Sequence, residues 1–226
     1  MAQFSSNLRL LSRLQVLWGL KLCLGVTLTV VFCAGYFAIQ YYPFRIPMQF
    51  DLTIIDRAVP FSPRWVWVYQ SVYVLLLSAW LCETTDQLKR YFIGFAFLTF
   101  TGFTCFLLWP VSGPRPQESS SDPMYNALVR YDTTLNSFPS LHMALAAYSA
   151  CVVIAITKGS FRRWLIILLP LWITLIGYST LATKQHYWID LPPGIALGCL
   201  AQRLAWRHSP SRETPPSAEF IEKGAA

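Results

Sequence analysis

Three residues within one short stretch have the types and spacing to do acid–base or nucleophilic chemistry. Thr183-Lys184-Gln185-His186-Tyr187-Trp188-Ile189-Asp190 sets a cation, an imidazole and a carboxylate at the mouth of an apolar segment. His186 and Asp190 are four apart, which on a helix puts them on one face about one turn from each other. A carboxylate so placed holds an imidazole in one tautomer and stabilises its charged form. Capping is the simpler alternative for Asp190, because Pro192 and Pro193 suit the first turn of a following helix. Both roles are compatible. A second histidine, His142, follows Asn136-Ser137-Phe138-Pro139-Ser140, which carries helix-start chemistry. Arg115 lies in a Pro-rich stretch before it. Arg115, Lys184 and Ser140 are candidate phosphate ligands: a guanidinium fork, a second cation, and a hydroxyl beside the first N–H groups of a helix. Each also has a plainer reading, with Arg115 and Lys184 snorkelling to an interface and Ser140 only capping its helix. His142 taken alone also fits a satisfied packing residue.

The composition says what must position them. Hydrophobic residues make up 54% of the 226 and charged residues 13%, about half the charged share of a soluble domain. The apolar residues fall in blocks near the ~20-residue length of a bilayer span. The sequence predicts an all-α polytopic membrane protein, a six-transmembrane-helix bundle with spans near 14–40, 65–82, 91–109, 141–157, 164–180 and 191–206. Residues 1–13 form a cytoplasmic or interfacial segment, 14–206 the membrane domain, and 207–226 a polar, disordered tail. Pro170 predicts a kink in the fifth span.

Six spans place both termini on one side. Of 18 Lys and Arg residues, only Arg45, Arg57, Arg64, Arg115, Arg130 and Lys184 fall on the other. The excess of positive charge makes the termini cytoplasmic. Arg115, His142, His186 and Asp190 then share the non-cytoplasmic face at about one depth. The net charge of +7 is explained by cytoplasmic loops, with no nucleic-acid partner. Cys23, Cys33, Cys82, Cys105, Cys151 and Cys199 have no CxxC or zinc spacing, and no HExxH-type pattern supports a metal. Two imidazoles, a carboxylate and an arginine at one level suit phosphorus chemistry: one imidazole attacks, the other protonates the leaving oxygen, and cationic and N–H donors hold the equatorial oxygens.

At these residues the chain resembles the type 2 phosphatidic acid phosphatase superfamily. Pro139-Ser140-Leu141-His142 is similar to its PSGH motif, with Leu for Gly. Ser179, His186 and Asp190 match its SRxxxxxHxxxD motif, with Thr180 in the Arg position. Of KxxxxxxRP only Arg115-Pro116 remains, and Leu108 stands in the Lys position. FPSLH, the ending TKQHYxxD, and Ile55-Asp56 with Pro60-Phe61 and Trp67-Val68-Tyr69 look more like the inositol phosphorylceramide synthase branch and its bacterial relatives. The resemblance implies a lipid phosphate substrate, no cofactor and no metal. It makes His186 the nucleophile, Asp190 its orienting partner and His142 the general acid and base, with Arg115, Ser140 and Lys184 as phosphate ligands. The implied function is a lipid phosphatase, or alternatively a phosphotransferase acting between lipids, sphingolipids included. A non-catalytic lipid-binding transporter or scaffold is the distant alternative. Compact loops point to a bacterial inner membrane with the site facing the periplasm.

Overall fold

The computed structural model describes residues 15–42, 44–115 and 120–207; the segments expected at 1–13 and beyond 207 lie outside the described residues, as does Pro116. Among the described residues the fold is all helical, and the only strand-like pairing is an isolated parallel bridge between Met48 and Val111. Helix α1 spans Trp18–Tyr41 and α2 spans Ile54–Ala58. After a 3-10 turn at Pro63–Trp65 come α3 (Val66–Gln70), α4 (Val72–Leu76) and a second 3-10 turn at Leu77–Leu81. Then follow α5 (Thr85–Leu108), α6 (Pro123–Tyr131), α7 (Leu141–Ile156) and α8 (Ser160–Ala182). A 3-10 turn at Trp188–Asp190 leads into α9 (Leu191–Trp206).

Among the described residues three helices, α1, α5 and α8, are long and apolar enough to cross a membrane. The fourth and sixth expected spans are helices at the expected places, α7 and α9, each of 16 residues. At 1.5 Å per residue that is about 24 Å, short of the ~30 Å hydrocarbon core. The second expected span is not one helix but a relay of short helical pieces from Pro63 to Leu81. One joint has a visible cause: the Ser71 hydroxyl donates to the Val68 carbonyl at 2.6 Å and accepts from the Trp172 indole at 2.8 Å. A serine bonded back to its own turn competes with the regular ladder. Pro170 sits inside α8 without ending it.

Helix α7 is the axis of the bundle, buried along most of its length. It lacks a polar face because other helices surround it, and a helix apolar all round belongs inside. Its tightest neighbour is α9, and two glycines make that approach possible. A β-carbon at Gly194 would run into the Ser140 carbonyl, and one at Gly198 into the Ala144 carbonyl. Helices in membranes gain attraction from such close backbone contact. Here the contact also joins the start of α7 to the start of α9. By contrast α1 turns Val26, Val30 and Val31 outward, each more than half exposed, as a lipid-facing helix does.

Candidate active site

The loops that carry the chemistry are tied to one another through their backbones. Ser140 N–H donates to the Asp190 carbonyl at 3.1 Å, Ser137 N–H to Val111 at 3.1 Å, and Gly113 N–H to Thr134 at 2.7 Å. At Gly113 a β-carbon would sit 2.6 Å from the Gln185 carbonyl, so only glycine lets these two loops meet. Phe50 packs edge-on against both Phe138 and Tyr187, with ring centroids 6.0 and 5.6 Å away. The upstream Asp56 forms a capping box with Thr53 and also accepts from Trp188 N–H at 2.7 Å. These ties place the FPSLH and HYWID segments side by side.

His142 and His186 share one cavity, their ring centroids 6.5 Å apart. The two imidazoles are therefore neighbours within one pocket. The His186 Nδ1 lies 3.0 Å from the Ser137 carbonyl and 3.3 Å from Asp190 Oδ2. Both are acceptors, so Nδ1 carries the proton and Nε2 keeps its lone pair. Asp190 is fully buried. Its Oδ2 also accepts from Ser137 Oγ at 2.5 Å and from Tyr187 N–H at 2.9 Å. The carboxylate makes no side-chain cap to α9; it bonds back into the loop and to His186. His142 stacks on Tyr69 at 3.8 Å with an 18° interplanar angle. Its Nε2 is buried with no hydrogen-bond partner among the described residues.

Arg115 lines the same cavity. Its Nε and one terminal nitrogen donate to Gln185 Oε1, at 3.2 and 2.5 Å, and its other terminal nitrogen donates to the Asp132 carbonyl. The Asp132 carboxylate is 3.8 Å from the guanidinium and accepts from the Tyr36 hydroxyl at 2.8 Å. Burial holds the Asp132 carboxyl above its ordinary range, while the Tyr36 hydrogen bond and the Arg115 charge pull it back.

The other two expected phosphate ligands are elsewhere. Lys184 has a left-handed backbone, φ 54°. Its Nζ donates to the carbonyls of Asp56 at 2.8 Å and Val59 at 2.6 Å. It braces α2 instead of entering the cavity, and burial lowers its ammonium below the usual lysine range. Ser140 is fully buried and its Oγ accepts from Met143 N–H at 3.3 Å, so it caps α7. Two residues that the motifs did not single out take part instead: Ser137 and Asp132. Ser137 adjoins FPSLH, the one hint in the sequence; Asp132 gave none, being one acidic residue in a polar loop.

Ser137→Ala removes the hydroxyl donor to Asp190 and leaves the backbone acceptor for His186. It is expected to lower kcat about tenfold with little change in KM, as loss of one hydrogen bond to a charged group does. Steady-state kinetics on one lipid donor checks it, and an unchanged kcat would remove Ser137 from the positioning network.

The cavity has a volume of about 420 Å³. Both imidazoles, Arg115, Asp132, Asn136, Ser137 and Gln185 line it, together with the apolar Phe32, Leu76, Phe95 and Leu145. A lining that mixes polar and apolar side chains fits an amphiphile.

Residues 57–204 match the family model described as the PAP2 superfamily. Among solved structures the chain is similar to the crystal structure of Aquifex aeolicus LpxE. That match has a TM-score of 0.51 and 16% identity, and covers 68% of this chain and 92% of the other. The likeness is one of fold. No curated protein matches the chain.

Proposed function

Because the chain belongs to the PAP2 superfamily, we propose that it cleaves a lipid phosphate ester through a phosphohistidine on His186. The observation that carries this reading is the pairing of two imidazoles across one gap, the inner one with its Nδ1 proton fixed by acceptors. In the first step His186 Nε2 attacks phosphorus, and the bond to the lipid alcohol breaks. Asp190 stabilises the positive charge that grows on the ring. His142 gives its proton to the departing alkoxide. In the second step His142 takes a proton from the acceptor hydroxyl, which attacks phosphorus and frees His186. Arg115 holds the phosphoryl oxygens, with the N–H groups at the start of α7 nearby. Lys184 and the Ser140 hydroxyl have no part in this scheme, as their bonds are spent elsewhere.

Water as the acceptor makes the protein a lipid phosphatase. A second reading, transfer to another lipid's hydroxyl, is favoured by the inositol phosphorylceramide synthase-like motifs and by an acidic side chain on the cavity wall. The membrane reading that goes with either is six crossings, formed by α1, the relay from Pro63 to Leu81, α5, α7, α8 and α9. Both termini are then cytoplasmic, and the cavity opens at the outer face of a bacterial inner membrane. Pure protein given labelled phospholipid, with and without a lipid alcohol, is expected to release diacylglycerol in both cases. Label in a water-soluble product, free phosphate from a phosphatidate donor or the head-group phosphate from a diester donor, assigns the phosphatase, and label in a new lipid assigns the transferase. No diacylglycerol in either case would sink the proposal.

A further inference from the structure

The Asp132 carboxylate is out of place in a cavity built only to hold a phosphate. Among the described residues lining that cavity, formal charge comes from Arg115, Asp132 and the two histidines. The two other cation positions of the motifs are Leu108, nearly half exposed, and Thr180, whose hydroxyl donates to the Gly177 carbonyl at 2.8 Å. Arg115 is therefore the chief cation, and it is partly neutralised. Asp132 Oδ2 lies 3.8 Å from it, and Gln185 and the Asp132 carbonyl take its N–H groups. A phosphomonoester carries about −1.5 to −2 charge near neutral pH. A phosphodiester has no second ionisation and carries one charge. One guanidinium with a carboxylate beside it balances the second better than the first. The carboxylate is also held in place, because Tyr36 donates to its Oδ1 from α1 at 2.8 Å. Its Oδ2 has no hydrogen bond among the described residues beyond the Arg115 approach, so it can accept a hydroxyl from a bound molecule.

We propose that Asp132 is the donor-selecting residue of this site. It accepts a hydroxyl of a head group esterified to the phosphoryl unit, and its charge turns away a doubly charged phosphomonoester. The inference rests on the phosphohistidine reading above and adds the class of donor, a hydroxyl-bearing lipid phosphodiester. The chemistry balances as before. The bond from phosphorus to diacylglycerol breaks as the N–P bond to His186 forms, the alkoxide takes its proton from His142, and the head group stays on phosphorus. The acceptor then displaces His186 and returns a proton to His142.

Three donors with the same diacylglycerol leaving group test it in detergent micelles: phosphatidate, phosphatidylglycerol and phosphatidylmethanol. The first is a monoester, the second a diester with hydroxyls, the third a diester without. The wild-type protein is expected to release diacylglycerol with the highest kcat/KM from phosphatidylglycerol and the lowest from phosphatidate. Asp132→Asn is expected to shift the phosphatidate-to-phosphatidylglycerol ratio at least about tenfold toward phosphatidate, as loss of one nearby charge does. Asp132→Glu is expected to keep the wild-type order. Each ratio is taken on one preparation, so an inactive fraction cancels. An unchanged ratio in Asp132→Asn overturns the proposal, and so does a wild-type preference for phosphatidate, whether or not the variant folds. A wild-type protein that releases no diacylglycerol from any donor instead overturns the phosphohistidine reading, and this inference with it.

Discussion

His186→Ala is expected to lose at least about 10⁴-fold in kcat/KM on any lipid donor, because a covalent route without its nucleophile falls back on binding and electrostatics alone. A pulse of donor labelled at phosphorus is expected to leave acid-labile label on the wild-type chain and none on this variant. His142→Ala tests the other imidazole separately. It is expected to lower turnover of a lipid ester by about 10² to 10⁴, the usual worth of a positioned general acid. With an aryl phosphate the loss shrinks in the first step, since a phenolate leaves without a proton. That pattern follows from the geometry: His142 Nε2 is unpartnered and His186 Nδ1 is spoken for. Label remaining on His186→Ala, or equal losses for His142→Ala on both leaving groups, would contradict the division of roles.

Gly194→Ala is expected to cost about 10²-fold in kcat, although it touches no reacting atom. The new methyl would land on the Ser140 carbonyl, and backbone cannot step aside as a flexible side chain can. The start of α9 must then move from the start of α7. Asp190 lies at one end of that contact and His142 at the other. The Ser140 to Asp190 backbone bond, 3.1 Å long, is the first to stretch. A shift of about 1 Å at a reacting pair costs about 10²-fold in rate, and overpacking costs about 1–3 kcal/mol in stability. Gly198→Ala meets the Ala144 carbonyl one turn deeper. It is expected to lower thermal stability by a similar amount with a smaller effect on kcat. Parallel melting curves and initial rates distinguish the two; full activity in Gly194→Ala would mean that the approach does not set the site.

The helices were legible because apolar block length is a direct response to the bilayer. Leu141 to Ile156 and Leu191 to Trp206 emerge at the expected places. The meeting of His142 with His186 was legible too, since each lies beside a helix start on the same expected side. The second block reads as one helix from composition, which reports burial and not the local bonds, such as that of Ser71, that break a helix into turns. The direction of Lys184 is not legible for a related reason: adjacency to His186 in the chain says nothing about a left-handed turn that sends its side chain to the Asp56 and Val59 carbonyls. Ser137 acts partly through its carbonyl, which every residue has, and Asp132 gains meaning only from Arg115, Tyr36 and the cavity they share.

Helix α1 contributes Phe32, Cys33 and Tyr36 to that cavity, yet it precedes the segment that matches the family, which begins at residue 57. A protein pared to residues 57–204 would keep both imidazoles and lose one flank of the chamber around them. The phenol that steadies Asp132 would go with it. The family segment thus holds both imidazoles, Arg115 and Asp132, while part of the wall that encloses them is drawn from a helix outside it.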